Sequence, residues 1–346
     1  MGLVQVYSSS YFQADENFGN GYFYLIRQVG FVISGSLIAF GIFKIKEDIF
    51  VKYGWWIWIL GSVALALTLI PGLGIKVGGA SRWLPLFAGL RFEPGEFLKL
   101  GFCFWLAALF SSKETVGFHR LNWYSLLLLT MAPFGLILIQ PDFGTFSILV
   151  LLFLVVVFAL GLKIKCLILT LSTIIPVFYF LVMSVGYRRQ RILAYLDPWI
   201  DPQGKGYQVI QSMVTFSRGG IFGEGLGYGQ GKLFFLPEAH TDFTFAVFGE
   251  EWGFIGVFFL LGLYFLIPLF GLKLSNKIEN LYKKILVLSL VMMMTFSSLI
   301  NIGVSLGILP TKGLTLPFLS YGGSSLIMLS LAFGLLIRYE RQEHLT

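Results

Sequence analysis

Residues 243–268 read FTFAVFGEEWGFIGVFFLLGLYFLIP. Roughly 20 mostly apolar residues are enough for a helix to cross a bilayer, and this run, apolar apart from Glu250 and Glu251, decides the fold class. Two acids inside such a segment have a high desolvation cost and mark a place of interest. Either they bond into neighbouring helices or they belong to a proton relay.

Other runs of the same kind lie at about 22–43, 53–70, 94–112, 122–139, 143–161, 164–185, 285–306 and 315–338. With 243–268 they make about nine spans, and Met1–Val6 reads as the tail of one more helix, a stub. Composition agrees: 56% of the 346 residues are hydrophobic and only 12% are charged, about half the share in soluble domains. The mean hydropathy of +0.81 excludes a water-soluble surface. Thirty-six Phe and 40 Gly suit closely packed membrane helices. The expected fold is therefore all-α: a polytopic transmembrane bundle of about nine full spans plus the stub, one integral-membrane domain over 1–346.

The charge of +7 would fit nucleic acid, but no basic run sits on a soluble module that could hold it. Cys103 and Cys166 are too few for a disulfide framework or zinc site and read as packing residues. The first residues, Met1 to Tyr7, lack the basic and apolar regions of a cleavable signal.

Loop charge sets the orientation. Lys44, Lys46 and Lys52, then Lys113 and Arg120, Lys163 and Lys165, Lys273 to Lys284, and Arg338 and Arg341 fall in one set of short loops and the tail. That set belongs in the cytoplasm, with the C-terminus. The opposite side holds 72–93, the Gln140–Gly144 turn, the long 186–242 loop and the 307–314 turn. It too carries cations, among them Lys76, Arg82, Arg188, Arg189 and Lys312. Long loops translocate regardless of charge, or the surface awaits an anion such as a phosphate. Aromatic residues throughout 186–242 read as a large ordered extracytoplasmic loop on the membrane, with short amphipathic helices near 189–196 and 206–216.

Four places carry polar groups where a bilayer disfavours them. In Glu93-Pro-Gly-Glu96-Phe-Leu-Lys99, Glu96 and Lys99 share a helical face. They form a self-neutralising pair or the wall of an outward cavity. In Gln140-Pro-Asp142-Phe-Gly-Thr145, Asp142 caps the next helix or places an acid at the bundle mouth. Leu236-Pro-Glu238-Ala-His240-Thr-Asp242-Phe crowds acid–base groups at a span entrance, where burial or a nearby cation would tune a base. His240 reads as a structural histidine, since no second His or Cys stands at metal spacing. Last comes Leu309-Pro-Thr-Lys312-Gly-Leu-Thr-Leu-Pro317 with Ser320-Tyr-Gly-Gly-Ser-Ser325. There Lys312 snorkels and the small residues allow close packing, or Lys312 serves the same outer cavity.

These stretches are similar to the SEDS family of bacterial membrane glycosyltransferases. The resemblance also rests on Val6-Tyr-Ser-Ser-Ser10, Gly79-Ala-Ser-Arg-Trp83, Asp197-Pro-Trp199, Gly206-Tyr-Gln208, Gly225-Leu-Gly227 and Gly249-Glu-Glu251. They run in family order over nearly the whole chain. Ala239 and Thr311-Lys-Gly look most like the cell-division branch, and the sporulation branch shares much of this pattern. The family fold has ten transmembrane helices, so the reduced first helix is a departure.

The resemblance implies a peptidoglycan glycosyltransferase of the bacterial cytoplasmic membrane. It would polymerise lipid II, a disaccharide–pentapeptide on undecaprenyl pyrophosphate, at the outer face. Its partners would be a class B penicillin-binding protein transpeptidase, other division proteins and membrane lipid. Asp242 matches the family's essential aspartate. As catalytic base it would deprotonate the acceptor 4-hydroxyl for inverting attack on donor C1. Trp83, Arg82, Glu96, Lys99, Asp142, Arg189, Glu238, His240 and Lys312 are the substrate-binding candidates, the cations receiving the pyrophosphate. A divalent ion would suit that leaving group, but no ligand set calls for one. The rival readings are a lipid II flippase, an elongation-type polymerase and a recruiting scaffold.

Overall fold

The computed structural model describes residues 1–77, 80–86, 89–111, 123–161, 165, 168, 172, 195–204 and 206–345. Its helices are α1 Gly2–Phe18, α2 Phe23–Ile42, α3 Glu47–Tyr53, α4 Trp56–Thr68, α5 Pro94–Phe110, α6 Trp123–Ile139, α7 Phe143–Ala159, α8 Tyr207–Arg218, α9 Thr244–Lys277, α10 Leu281–Ser305 and α11 Gly323–Leu345. By length and composition α2, α9, α10 and α11 can each cross a membrane, and α3 with α4 forms a fifth candidate bent by 51°. The apolar α6 and α7 are shorter. The expected span at 164–185 apart from 165, 168 and 172, the 189–194 part of the first expected loop helix, and Arg189 lie outside the described residues. The second expected loop helix, near 206–216, is α8.

Two expectations need correction. The helix expected to end near Val6 runs on to Phe18. Hydropathy missed it because Ser8, Ser9, Ser10, Gln13, Asp15 and Glu16 are polar, yet Gln5 and the three serines are buried. Nor is the chain all-α. Strands β1 Ile75–Val77, β2 Ala80–Pro85 and β3 Arg91–Phe92 form an antiparallel sheet in sequence order. Ile75 pairs with Trp83, and Leu84 with Phe92. Such short strands leave little periodic signal in sequence.

The chain divides into two compact units. One comprises Met1–Gln28, Leu154–Tyr264 and Ser297–Tyr321; the other comprises Val29–Phe153, Phe265–Phe296 and Gly322–Thr346. The first is centred on Phe245, Phe248, Val257, Leu260, Ile302, Leu316 and Leu319, with Phe216 and Trp252 against them. In the second, α5 is buried almost all round, as an apolar helix without a polar stripe must be. It meets α4 with no side chain between, since a Cβ on Gly101 would lie 2.8 Å from the Trp58 backbone. Trp58 and Trp105 each donate their indole N–H into α6, to the Leu129 carbonyl and the Thr130 hydroxyl, both at 2.9 Å. Buried indoles need such a partner.

Candidate active site

In the first unit, residues 236–243 form a tight turn that delivers Asp242 to the start of α9. Glu238 sits at φ 55, unusual for a residue with a side chain. Its carbonyl accepts from the amides of Thr241, Asp242 and Phe243 at 3.1–3.2 Å. The Glu238 carboxylate accepts from the Thr241 hydroxyl at 2.8 Å. This exposed acid thus closes its own turn, a role the sequence did not disclose.

His240 is buried between Tyr24 and Tyr321, with ring centroids 4.7 and 5.9 Å away. Its carbonyl accepts from the Tyr321 amide at 2.9 Å, and its Nδ1 has no hydrogen-bond partner among the described residues. Burial holds the imidazole below its usual range, with Glu238 pulling the other way.

Asp242 is fixed from both sides. Its amide donates to the Glu238 carbonyl at 3.1 Å, and its carbonyl accepts from Asn301 Nδ2 at 2.9 Å. The same Asn301 nitrogen donates to the carbonyl of Leu314, whose own amide donates to the Lys312 carbonyl at 3.0 Å. One amide side chain from α10 therefore joins the Asp242 turn to the Lys312 segment. Asn301 was not among the sequence candidates. It stands in α10 among other polar residues, Ser289, Thr295, Ser297, Ser298 and Ser305, and no spacing pattern marked it.

In the second unit, Lys99 donates to Glu96 Oε1 at 2.7 Å, both groups buried. This is the self-neutralising pair foreseen at i,i+3 on α5. Asp142 caps α7, its Oδ1 accepting from the Thr145 amide at 3.3 Å. Arg82 stands 4.0 Å from that carboxylate and donates to the Pro141 carbonyl at 2.9 Å, while its buried Nε has no partner among the described residues. The start of α5 approaches the same carboxylate, for a Cβ on Gly95 would lie 3.5 Å from Asp142 Oδ2. Glu93, just before α5, feels this crowding. Burial first, then Glu96 and Asp142, push its carboxyl up to about 8, against Lys99 and Arg82.

Trp83 is half-buried in β2, in register with Ile75. Gln140 donates to Thr68 Oγ1 at 2.7 Å and to the Ser81 carbonyl, tying the hairpin to α4 and α6. Beside it lies a cavity of about 490 Å³ lined by Thr68, Lys76, Ser81, Gln140 and Pro141. Among the described residues no group of three or more His, Cys, Asp or Glu could hold a metal ion.

Several membrane-length helices define a multi-pass membrane protein, with two ion-paired helix starts in the second unit and a pinned aspartate ahead of a long apolar helix in the first. The family described as "Cell cycle protein", which takes in FtsW, RodA and SpoVE, matches residues 1–345, and the chain belongs to it. It is 37% identical to the probable peptidoglycan glycosyltransferase FtsW of Trichlorobacter lovleyi over 337 residues, 97% of this chain and 88% of that protein. It is 36% identical to stage V sporulation protein E of Bacillus subtilis over 342 residues, 99% and 93% of the two chains. Among solved structures it is similar to a chain of a peptidoglycan synthase complex that coordinates polymerization and crosslinking (TM-score 0.76, 32% identity, 99% of this chain and 97% of that one). It is also similar to the rod shape determining protein RodA of Thermus thermophilus (TM-score 0.67, 28% identity, 99% and 95%).

Proposed function

We propose that this chain is a peptidoglycan glycosyltransferase that polymerises lipid II for septal wall synthesis. Family membership over 1–345 and relatives named for that activity support the reaction class. The observation that carries the residue assignment is the double fixation of Asp242, through Glu238 on one side and Asn301 on the other. A base works best when its geometry is set before substrate arrives.

In this reading Asp242 takes the proton from the acceptor N-acetylglucosamine 4-hydroxyl. That oxygen attacks C1 of the donor N-acetylmuramic acid with inversion, and the C1–O bond to undecaprenyl pyrophosphate breaks. The leaving group is a weak base and needs positive charge more than a proton. Lys312, joined to the Asp242 turn through Asn301, supplies it within the same unit. Arg82, Lys99, Glu96, Asp142 and Trp83 are proposed substrate contacts of the second unit, where Arg82 Nε, without a partner among the described residues, favours an anionic ligand. Glu238 and His240 act by shaping the turn, and Arg189 remains a proposed phosphate contact. We place the chain in the bacterial cytoplasmic membrane as a single domain of about nine spans. Its 186–242 loop and active face lie outside, its C-terminus inside, and a class B penicillin-binding protein and other division proteins are its partners.

The test is purified protein with its class B partner and labelled lipid II, wild type beside Asp242→Ala. Glycan ladders from the first and none from the second are expected. Equal ladders would remove Asp242 from the mechanism, and none from either would favour lipid transport or scaffolding.

A further inference from the structure

The hydrogen-bond ladder of α9 is interrupted at Gly253, where φ is 64° and ψ −169°. The break deprives four main-chain groups of their helical partners: the amides of Phe254 and Ile255 and the carbonyls of Glu250 and Glu251. All four are taken up by the loop that follows α8. Phe254 donates to the Gly220 carbonyl at 2.9 Å and Ile255 to that of Ile221 at 3.2 Å, while Glu224 and Gly225 donate back to Glu250 and Glu251 at 2.9 and 3.1 Å.

The acidic side chains complete the attachment. The Glu250 carboxylate accepts from the amides of Gln230 and Gly231, each at 3.0 Å. Glu251 accepts from the Gly227 amide at 3.2 Å and from Lys232 Nζ and Ser8 Oγ at 2.5 Å. The backbones meet directly, since a Cβ on Gly253 would lie 2.2 Å from the Gly223 nitrogen.

This loop turns apolar side chains outward. Phe222 is 80% exposed, Tyr228 78% and Ile221 62%, and on α9 Phe254 and Phe258 are 63% and 71% exposed. We infer that residues 220–228 are an interfacial lipid anchor, seated in the bilayer leaflet at the Thr244 end of α9. Three observations assign lipid as the occupant. First, Phe254–Leu272 holds no charge and extends about 28 Å at 1.5 Å per residue, close to the hydrocarbon thickness of a bilayer. The apolar core therefore begins at the break where the loop is attached, and the loop's apolar face continues onto the lipid-crossing surface of α9. Second, irregular chain next to hydrocarbon must have its polar backbone satisfied, and the α9 break takes up the Gly220 and Ile221 carbonyls and the Glu224 and Gly225 amides of the loop. Third, Arg218 and Glu224 are exposed beside the apolar tip. Their charges set its depth at the headgroup boundary, where aromatic side chains concentrate. The inference rests on the membrane-spanning fold and is independent of the glycosyl-transfer reaction.

A nitroxide on Phe222→Cys and, separately, on Tyr228→Cys tests this. The full chain is reconstituted in phospholipid nanodiscs with Cys103 and Cys166 replaced by alanine, and a label on Phe258→Cys serves as the lipid-facing reference. Both loop labels are expected to collide with oxygen several-fold more often than with a water-soluble nickel chelate, as at Phe258. Nickel collisions equal to or above those of oxygen would put the loop in water. Suppression of both reagents at the loop, with Phe258 still open to oxygen, would mean that protein covers it. Either result overturns the proposal.

Discussion

Asn301 Nδ2 donates to the Asp242 carbonyl at 2.9 Å and also to the carbonyl of Leu314. A side chain in α10 thereby sets the position of the residue ahead of α9 and of the segment that carries Lys312. Replacing it with alanine leaves two carbonyls without their donor. Each lost bond is worth about 1 kcal/mol net, and small displacements of a reacting group cost rate steeply. Asn301→Ala is expected to lower the melting temperature modestly and lipid II polymerisation about 10-fold or more, read from glycan ladders.

Asp242→Asn keeps the side-chain shape and both main-chain bonds. It should unfold at the wild-type temperature while polymerisation falls by about 10²–10⁴, the usual contribution of a positioned base. Wild-type rates from this variant would end the assignment.

Lys99 and Glu96 are a buried pair at 2.7 Å, and such pairs respond asymmetrically. Lys99→Met strands a carboxylate and is expected to destabilise by about 3–5 kcal/mol, whereas Lys99→Met with Glu96→Gln should recover most of that loss. If the pair also contacts substrate, the double variant will be stable yet slow. Comparing melting curves with initial rates separates the two roles.

How far the sequence disclosed this site depends on the range of each interaction. The Glu96–Lys99 pair and the Asp142 cap were legible because their partners lie three residues away on one helix. The membrane-length helices were legible from apolar runs alone. The sheet at 75–92 was read as outer loop because strands of two to six residues carry almost no periodicity. Asn301 and the Glu251–Lys232 pair were not assigned, since their partners lie 13 to 59 residues off with no fixed spacing. Helix α1 was cut short because its polar face, buried by the fold, looks like a solvated segment in sequence.

Gly253 occupies a backbone region open essentially to glycine, and a Cβ there would strike the Gly223 nitrogen. Gly253→Ala is expected to cost about 3 kcal/mol or more, from strain plus displaced backbone. Thermal unfolding reports the loss, and limited proteolysis within 219–230 should accelerate with it.

Acid should weaken the first unit through His240. Its imidazole is held below the usual value near 6.5, so in mildly acidic solution the unfolded chain takes up a proton that the folded chain refuses. This contribution is intact above pH 6.5 and is lost as pH falls below it. His240→Phe keeps a ring between Tyr24 and Tyr321 and should flatten the acid limb of a melting-temperature profile, whereas an unchanged limb would acquit His240.

The partners of Glu251 reach the membrane at different times. Lys232 precedes it by 19 residues, while Ser8 stands 243 residues upstream. The lysine and the glutamate can leave the insertion machinery together as a neutral couple, sparing either from meeting lipid alone. Helix α1, threaded long before α9, must wait until that later part of the chain has been made before its serine finds its mate. Completion of this hydrogen bond is thus a late event in biogenesis, and damage to α1 would show itself as failed maturation rather than failed insertion.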